Sequence, residues 1–380
     1  MTHILITGSE GFIGKNLAVR LRTISESEVA CVGVQTPEIE LFEALKQCDV
    51  VFHLAGMNRT NDPSAFRRVN RDFTGEICEK LRDLGRAPKI VFSSSIQAIM
   101  DNEYGLSKRE AEEILRQFGS DTGAAIRIYR LSNVFGKWCR PNYNSVVATF
   151  CHGIANDLPI QISDSGRELE LVYIDDVVEA FLEEAKIGEA LNGNRDIPFY
   201  KLTLGDLAGR IQSFHEMRTS LLTPDFAVRF NQQLYATYLS YLPEEARRQQ
   251  LGIRSDQRGA LAEFIKSQHF GQIFISRTKP GITRGNHYHH TKTEKFFVVE
   301  GNGIIRMRKI ESSSVSEYIV SGDAFQVIDI PPGYTHSIEN IGTGDMVTLF
   351  WASEIFEPDR PDTYFQPVLM PTEIPVQDRI

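Results

Sequence analysis

At about residue 245 the chain changes its hydrophobic period, and that change limits the possible folds more than any other feature. Before it, short apolar runs alternate with helically patterned segments, at 3–7, 12–22, 29–34, 50–55, 63–82, 89–94, 107–118 and 124–131. Strands separated by helices of that length predict βαβ units around a parallel sheet. After it, strand-like runs follow one another closely at 272–277, 295–299, 303–308, 317–320, 325–329 and 346–351, with glycine and proline at the turns. That spacing predicts a small antiparallel barrel or jelly roll. The polar run 244–250 reads as an exposed linker or helix end. A chain of 380 residues has room for two cores. We place the domains at 1–245 and 253–372.

Composition narrows the function classes. With 42% hydrophobic and 24% charged residues the chain is an ordinary globular one, not a disordered one. A formal charge of −9, with no basic stripe, argues against a nucleic-acid partner. No apolar run reaches spanning length and the N-terminus enters a strand directly, so we expect no membrane partner and a cytoplasmic protein. Cys31, Cys48, Cys78, Cys139 and Cys151 lack CxxC spacing and read as reduced core residues.

The first strand runs into Gly8-Ser9-Glu10-Gly11-Phe12-Ile13-Gly14 and then into a helix. Glycines there let the backbone approach a pyrophosphate, and the helix start at Phe12 and Ile13 offers free N–H groups. His53-Leu54-Ala55-Gly56 closes the strand at 50–55, Ser93-Ser94-Ser95 closes the one at 89–94, and Tyr104 and Lys108 stand four apart on one helix face. In this order the segments resemble the extended short-chain dehydrogenase/reductases, whose fold is a Rossmann-type doubly wound parallel sheet. The resemblance implies that Tyr104 is a general acid protonating a carbonyl oxygen. Lys108 would lower its pKa and hold the nicotinamide ribose, and Ser95 would bind the substrate oxygen. Gly8, Gly11, Phe12, Ile13, Gly14, Leu54, Ala55, Gly56, Tyr104 and Lys108 would contact the cofactor. The second strand ends Val32-Gly33-Val34-Gln35-Thr36 without the acid that usually binds the ribose 2′-hydroxyl, which favours NADPH. Arg130-Leu131-Ser132-Asn133-Val134-Phe135-Gly136 and Tyr173-Ile174-Asp175-Asp176-Val177 resemble segments of the branch that handles nucleotide-linked sugars, with Asn133 either a substrate contact or a turn residue.

The second half carries a different chemistry. Between Gly281 and Gly301 stand His287, His289 and Glu294, and Pro331-Pro332-Gly333-Tyr334-Thr335-His336 supplies a third imidazole. On a strand, positions i and i+2 share a face, so His287 and His289 aim together. Three imidazoles and a carboxylate suit Zn, Fe, Mn, Ni or Cu, with room for an open position. The pattern resembles the two motifs of the cupin superfamily, which makes the second domain an all-β cupin barrel. Its opening, Asp256-Gln257-Arg258-Gly259, is similar to a segment of deoxysugar-nucleotide 3,5-epimerases.

From about residue 3 to residue 366, order and motifs together resemble the bifunctional capsule-precursor enzymes of the CapF/WbjC type. That resemblance implies a UDP-linked 4-keto-6-deoxy amino sugar as substrate, on the path to UDP-N-acetyl-L-fucosamine. The cupin domain would epimerise carbon 3, the reductase domain would reduce carbon 4 with NADPH, the metal would be Zn2+, and the protein would be a homodimer. Three alternatives stay open: a 4-keto-sugar reductase whose zinc cupin is structural, an iron cupin doing oxygen chemistry, and a non-catalytic redox sensor that binds NADPH as a signal, against which the intact Ser95, Tyr104 and Lys108 set speaks. The epimerisation base is one of His290, Tyr334, Lys295 and Glu263.

Overall fold

The computed structural model describes residues 1–24, 27–186 and 196–370; residues 371 and 372 of the expected second domain lie outside these. The chain divides into two compact units, 1–212 with 232–243, and 213–231 with 244–380.

In the first unit β1 (His3–Thr7), β2 (Glu28–Val32), β3 (Val50–His53), β4 (Lys89–Ser95) and β5 (Ile126–Leu131) form one sheet in the order β2-β1-β3-β4-β5. Every pairing is parallel. Strand alternation sends Ile4, Ile6, Val50, Phe52 and Val91 to one face, against Leu17, Val177 and Phe181. Leu5, Val51, Ile90 and Phe92 go to the other, against Leu45, Leu81 and Leu115. A sheet buried on both faces needs apolar residues pointing both ways, and Ile4-Leu5-Ile6, Val50-Val51-Phe52 and Ile90-Val91-Phe92 supply them. This is the doubly wound parallel sheet of a Rossmann-type fold. From β1 the chain turns one way to β2 and then crosses to β3 on the other side. That reversal opens a crevice at the C-terminal ends of β1 and β3, where such folds bind ligands. A smaller sheet joins β6 (Asn133–Phe135), β7 (Glu168–Tyr173) and β8 (Tyr200–Thr203).

Two helices differ from the sequence expectation. The one expected at 63–82 is α-helical at Pro63–Phe66, turns as a π-helix over Arg67–Asp72, and resumes over Phe73–Asp83. The one expected at 107–118 spans Glu103–Thr122. It starts early because Asn102 caps it, its Oδ1 accepting from Gly105 N–H at 2.8 Å. It stops where Gly123 turns left-handed at φ +79°.

From residue 253 onward the second unit is built of strands: β9 (Ile253–Asp256), β10 (Gly259–Ser267), β11 (Gly271–Thr278), β12 (Thr283–Tyr288), β13 (Glu294–Glu300), β14 (Asn302–Lys309), β15 (Val315–Ser321), β16 (Val327–Ile330), β17 (Tyr334–Asn340), β18 (Met346–Ala352) and β19 (Tyr364–Phe365). They form two antiparallel sheets, β16-β13-β18-β11-β10-β9 and β15-β14-β17-β12-β19. Phe296, Val298, Ile305, Met307, Ile338 and Phe350 fill the core. The segment 213–231, which a boundary at residue 245 leaves in the first domain, counts with this unit. There Leu222 bridges Lys266, Thr223 N–H donates to the Lys266 carbonyl at 2.7 Å, and Lys266 N–H donates to the Leu221 carbonyl at 2.8 Å. Among the described residues no helix is long and apolar enough to cross a membrane.

Candidate functional sites

Gly8 follows β1 at φ +68°, a conformation that favours glycine. A Cβ there would stand 2.6 Å from the Ala55 backbone, and one on Gly14 would stand 2.2 Å from the Gly8 carbonyl. The loop and the end of β3 therefore touch only because side chains are missing. Gly11 N–H donates to the Gly8 carbonyl at 2.9 Å, and Leu54 N–H to the Thr7 carbonyl at 3.2 Å. Phe12, Ile13 and Leu54 pack against the core beneath, which anchors the helix start under the crevice. The result is a backbone cradle beside a helix N-terminus, which suits a dinucleotide pyrophosphate.

Gly56 links this cradle to the reductive residues. A Cβ on it would stand 3.0 Å from Lys108 Nζ and 3.1 Å from Asn70 Oδ1. Lys108 is buried, donates to the Ser93 carbonyl at 2.9 Å and lies 4.7 Å over the Phe92 ring. Burial pulls its pKa down to about 8, with Glu112 opposing. The Tyr104 hydroxyl is raised above its usual range by burial, partly offset by a hydrogen bond with Ser95. The lowering by Lys108 that the motif implies is not found: burial governs the Tyr104 hydroxyl and moves it the other way.

Asn70 escapes a sequence reading, and the π-helical turn is what delivers it. Its amide is buried, accepts from Met57 N–H at 2.8 Å, and donates to the Met57 carbonyl and Ser107 Oγ at 2.9 Å each. This clamps the turn that carries Gly56 to the helix that carries Lys108. The available signal was weak: an asparagine inside an otherwise regular helical pattern. Asn133 is not a turn residue: it opens β6 and donates to the Glu170 carbonyl on the adjacent β7 at 3.0 Å. Arg130 is committed to the buried Glu112, at 2.7 Å and 2.9 Å.

His287, His289, Glu294 and His336 come together, each offering one ligand atom within 4.8 Å of the others. A bulge at Gly285 and Asn286 (φ +95° and +61°) sets His287 directly opposite His336 across β12 and β17. His289 follows just past β12, and Glu294 opens β13 on the other sheet. Glu294 Oε2 lies 3.1 Å from His336 Nε2 and 3.4 Å from His289 Nε2. Those three buried atoms have no hydrogen-bond partner among the described residues. Buried polar atoms left unpaired are costly, and four converging donors of this kind fit a cation. Burial, the largest influence on Glu294, raises its pKa, but His289 and His336 outweigh it and hold the carboxyl well below its usual range. Burial pulls His287 down to about 4, so it is a neutral imidazole, the form that binds metal.

Backbone carbonyls orient these rings. His336 Nδ1 contacts the Tyr334 carbonyl at 3.2 Å and His289 Nδ1 the Asp362 carbonyl at 2.5 Å, which leaves both Nε2 atoms facing the cluster. Asp362 in turn sits at φ +38°, and its carboxylate accepts from the N–H groups of His290, Thr291 and Lys292 at 2.9–3.0 Å. Nothing in the local sequence announces it, because it lies 73 residues beyond His289. Asp362→Ala is expected to weaken metal binding by about 10–100-fold with the four ligands intact, as loss of an outer-shell partner does elsewhere. Titration of the metal-free protein with Zn2+ or Co2+ measures it; unchanged affinity would show that the ring is held otherwise.

Two of the four base candidates are occupied. Glu263 pairs with Lys266 at 3.0 Å and Arg254 at 3.7 Å, and Lys295 pairs with Asp329. Tyr334 packs against the core, and His290 is exposed, its ring 4.8 Å from that of Tyr364.

Comparison with known proteins covers nearly all of this geometry. Residues 4–192 match the NAD dependent epimerase/dehydratase family, and residues 254–364 the polysaccharide biosynthesis C-terminal domain. Over 363 residues the chain is 44% identical to the UDP-2-acetamido-2,6-beta-L-arabino-hexul-4-ose reductase of Pseudomonas aeruginosa, covering 95% of this chain and 97% of that protein. The structure matches that of the capsular polysaccharide assembling protein CapF from Staphylococcus aureus with a TM-score of 0.90 and 44% identity, covering 97% of this chain and 100% of that one. A shorter stretch of 118 residues is 25% identical to the spore coat polysaccharide biosynthesis protein SpsL of Bacillus subtilis, covering 28% of this chain and 78% of that protein.

Proposed function

This chain belongs to the CapF-like family, and from that membership we propose that it is a bifunctional nucleotide-sugar enzyme of capsular polysaccharide synthesis, working as a cytoplasmic homodimer. Its β unit epimerises carbon 3 of a UDP-linked 2-acetamido-2,6-dideoxy-4-hexulose, and its first unit reduces the carbon 4 ketone. The observation that carries the reading is the 44% identity to a named 4-hexulose reductase across 97% of that protein.

For the reduction, a bound nicotinamide nucleotide supplies the hydride. The glycine cradle and Gly56 seat it, Lys108 holds its ribose, Ser95 orients the substrate carbonyl, and Tyr104 gives that oxygen its proton. For the epimerisation, a ketone at carbon 4 acidifies the proton at carbon 3. A base removes that proton and a donor returns one to the opposite face. His287, His289, Glu294 and His336 fit a zinc ion, which supplies Lewis acidity when bound. A second reading has one observation in its favour: the four ligands come from both sheets, so a metal there would also fasten the sheets together.

One reaction in D₂O separates the two readings. The UDP-linked 4-keto sugar is supplied with reduced coenzyme, and product mass and configuration are followed with coenzyme absorbance. Coenzyme consumption with one deuterium at an inverted carbon 3 is the expected result. Consumption without deuterium there would leave the β unit a structural metal module.

A further inference from the structure

Ser95 stands on β4 while Tyr104 and Lys108 stand on the helix Glu103–Thr122, so the reductive set is split between two elements. Two buried hydrogen bonds join those elements. Lys108 donates to the Ser93 carbonyl at 2.9 Å, and Ser94 Oγ donates to Glu112 Oε1 at 2.6 Å. Glu112 lies one turn beyond Lys108 on the same helix face, and none of it is exposed. Arg130 reaches it from β5 at 2.7 Å and 2.9 Å, and Arg116 from the same helix at 2.8 Å. Burial, the largest influence on the carboxyl, raises its pKa, but Arg130, Ser94 and Arg116 outweigh it and hold it below its usual range. One ionised carboxylate thus ties β4 and β5 to the helix, at the residue beside Ser95.

The groups facing Lys108 show what else that charge does. They are Phe92 and the Ser93 carbonyl from β4, Asn70 from the π-helical turn, His53 from β3, and Tyr104 and Glu112 from its own helix. Burial keeps His53 neutral, its pKa down to about 3, and keeps the proton on Tyr104. Among the described residues Glu112 is then the one negative charge acting on the Lys108 ammonium. Arg116 and Arg130 are half exposed, so water screens their charge. A buried ammonium without a counter-charge gives up its proton. Resting on the reductase reading above, we propose that Glu112 is a positioning residue of the reduction site, which sets Ser95 against the helix of Tyr104 and supplies the counter-charge of Lys108.

Coenzyme oxidation by the full chain from about pH 6 to 10 tests this, for the natural sequence, Glu112→Gln and Ser94→Ala. The UDP-linked sugar is supplied already epimerised at carbon 3, so that only reduction is read. Burial lowers the Lys108 pKa to about 8, so natural kcat/KM should fall as pH rises through that value. Glutamine still accepts from Ser94 but carries no charge, so Lys108 should lose its proton at lower pH. That alkaline limb should move down by about one pH unit, a loss of about tenfold above it that is largely recovered toward pH 6. Ser94→Ala keeps the charge and cuts the tie to β4, so kcat should fall about tenfold with the limb in place. An unmoved limb in Glu112→Gln would make Glu112 a structural ion pair and overturn the proposal, as would unchanged kcat in Ser94→Ala. If Glu112→Gln does not fold, Ser94→Ala decides alone. No coenzyme oxidation by the natural protein at any pH would instead sink the reductase reading, and this role with it.

Discussion

Tyr104→Phe is expected to slow carbon 4 reduction by about 10²–10⁴-fold, the usual worth of a positioned proton donor, while deuterium exchange at carbon 3 continues. The substitution removes one oxygen and keeps the ring, which packs 5.7 Å from Phe66. Stability should therefore change little, and the loss can be assigned to chemistry. Without the hydroxyl, Ser95 can still hydrogen-bond the ketone, but the ketone oxygen has lost its proton donor. The assay follows coenzyme oxidation and product mass in D₂O on the same sample. Loss of both activities would show that exchange at carbon 3 is not independent of the first unit. Retention of reduction would remove Tyr104 from the mechanism.

Glu294→Gln should produce the reverse pattern. Glutamine is nearly isosteric but uncharged, and Glu294 is the one anionic donor of the cluster. Metal affinity is expected to fall by at least about 100-fold, more than the loss of an outer-shell partner costs. Metal content after dialysis checks this directly. Exchange at carbon 3 should disappear, while a sugar already epimerised at carbon 3 should still be reduced. A chelator should lower the melting temperature of the natural protein and leave that of the variant unchanged, since only the former has a metal to lose. Metal loss with exchange intact would make the ion a fastener of the two sheets and nothing more.

Much of this arrangement was legible in the residues, for a physical reason. A strand fixes i and i+2 on one face and a helix fixes i and i+4, so His287 with His289 and Tyr104 with Lys108 announce themselves locally. The β-strand periods of the two halves likewise separate a sheet buried on both faces from one packed on a single side. What stayed hidden acts through distant pairings. Asn70 depends on a helical irregularity, and Asp362 on the path of a tail that returns to His289. The same limit applies to 213–231, where nothing local indicates the β10 residue that Leu222 pairs with.

That segment has a consequence for how the protein can be taken apart. Because 213–231 counts with the β unit and 232–243 with the first, the polypeptide passes from one unit to the other three times. No single cut yields two whole pieces. A fragment ending at 245 would carry Leu221, Leu222 and Thr223 without Lys266, their backbone hydrogen-bond partner. A fragment beginning at 253 would lack the segment that covers Lys266. Exchange of either half with a relative, by engineering or by recombination, must move the excursion along with the strands it rests on.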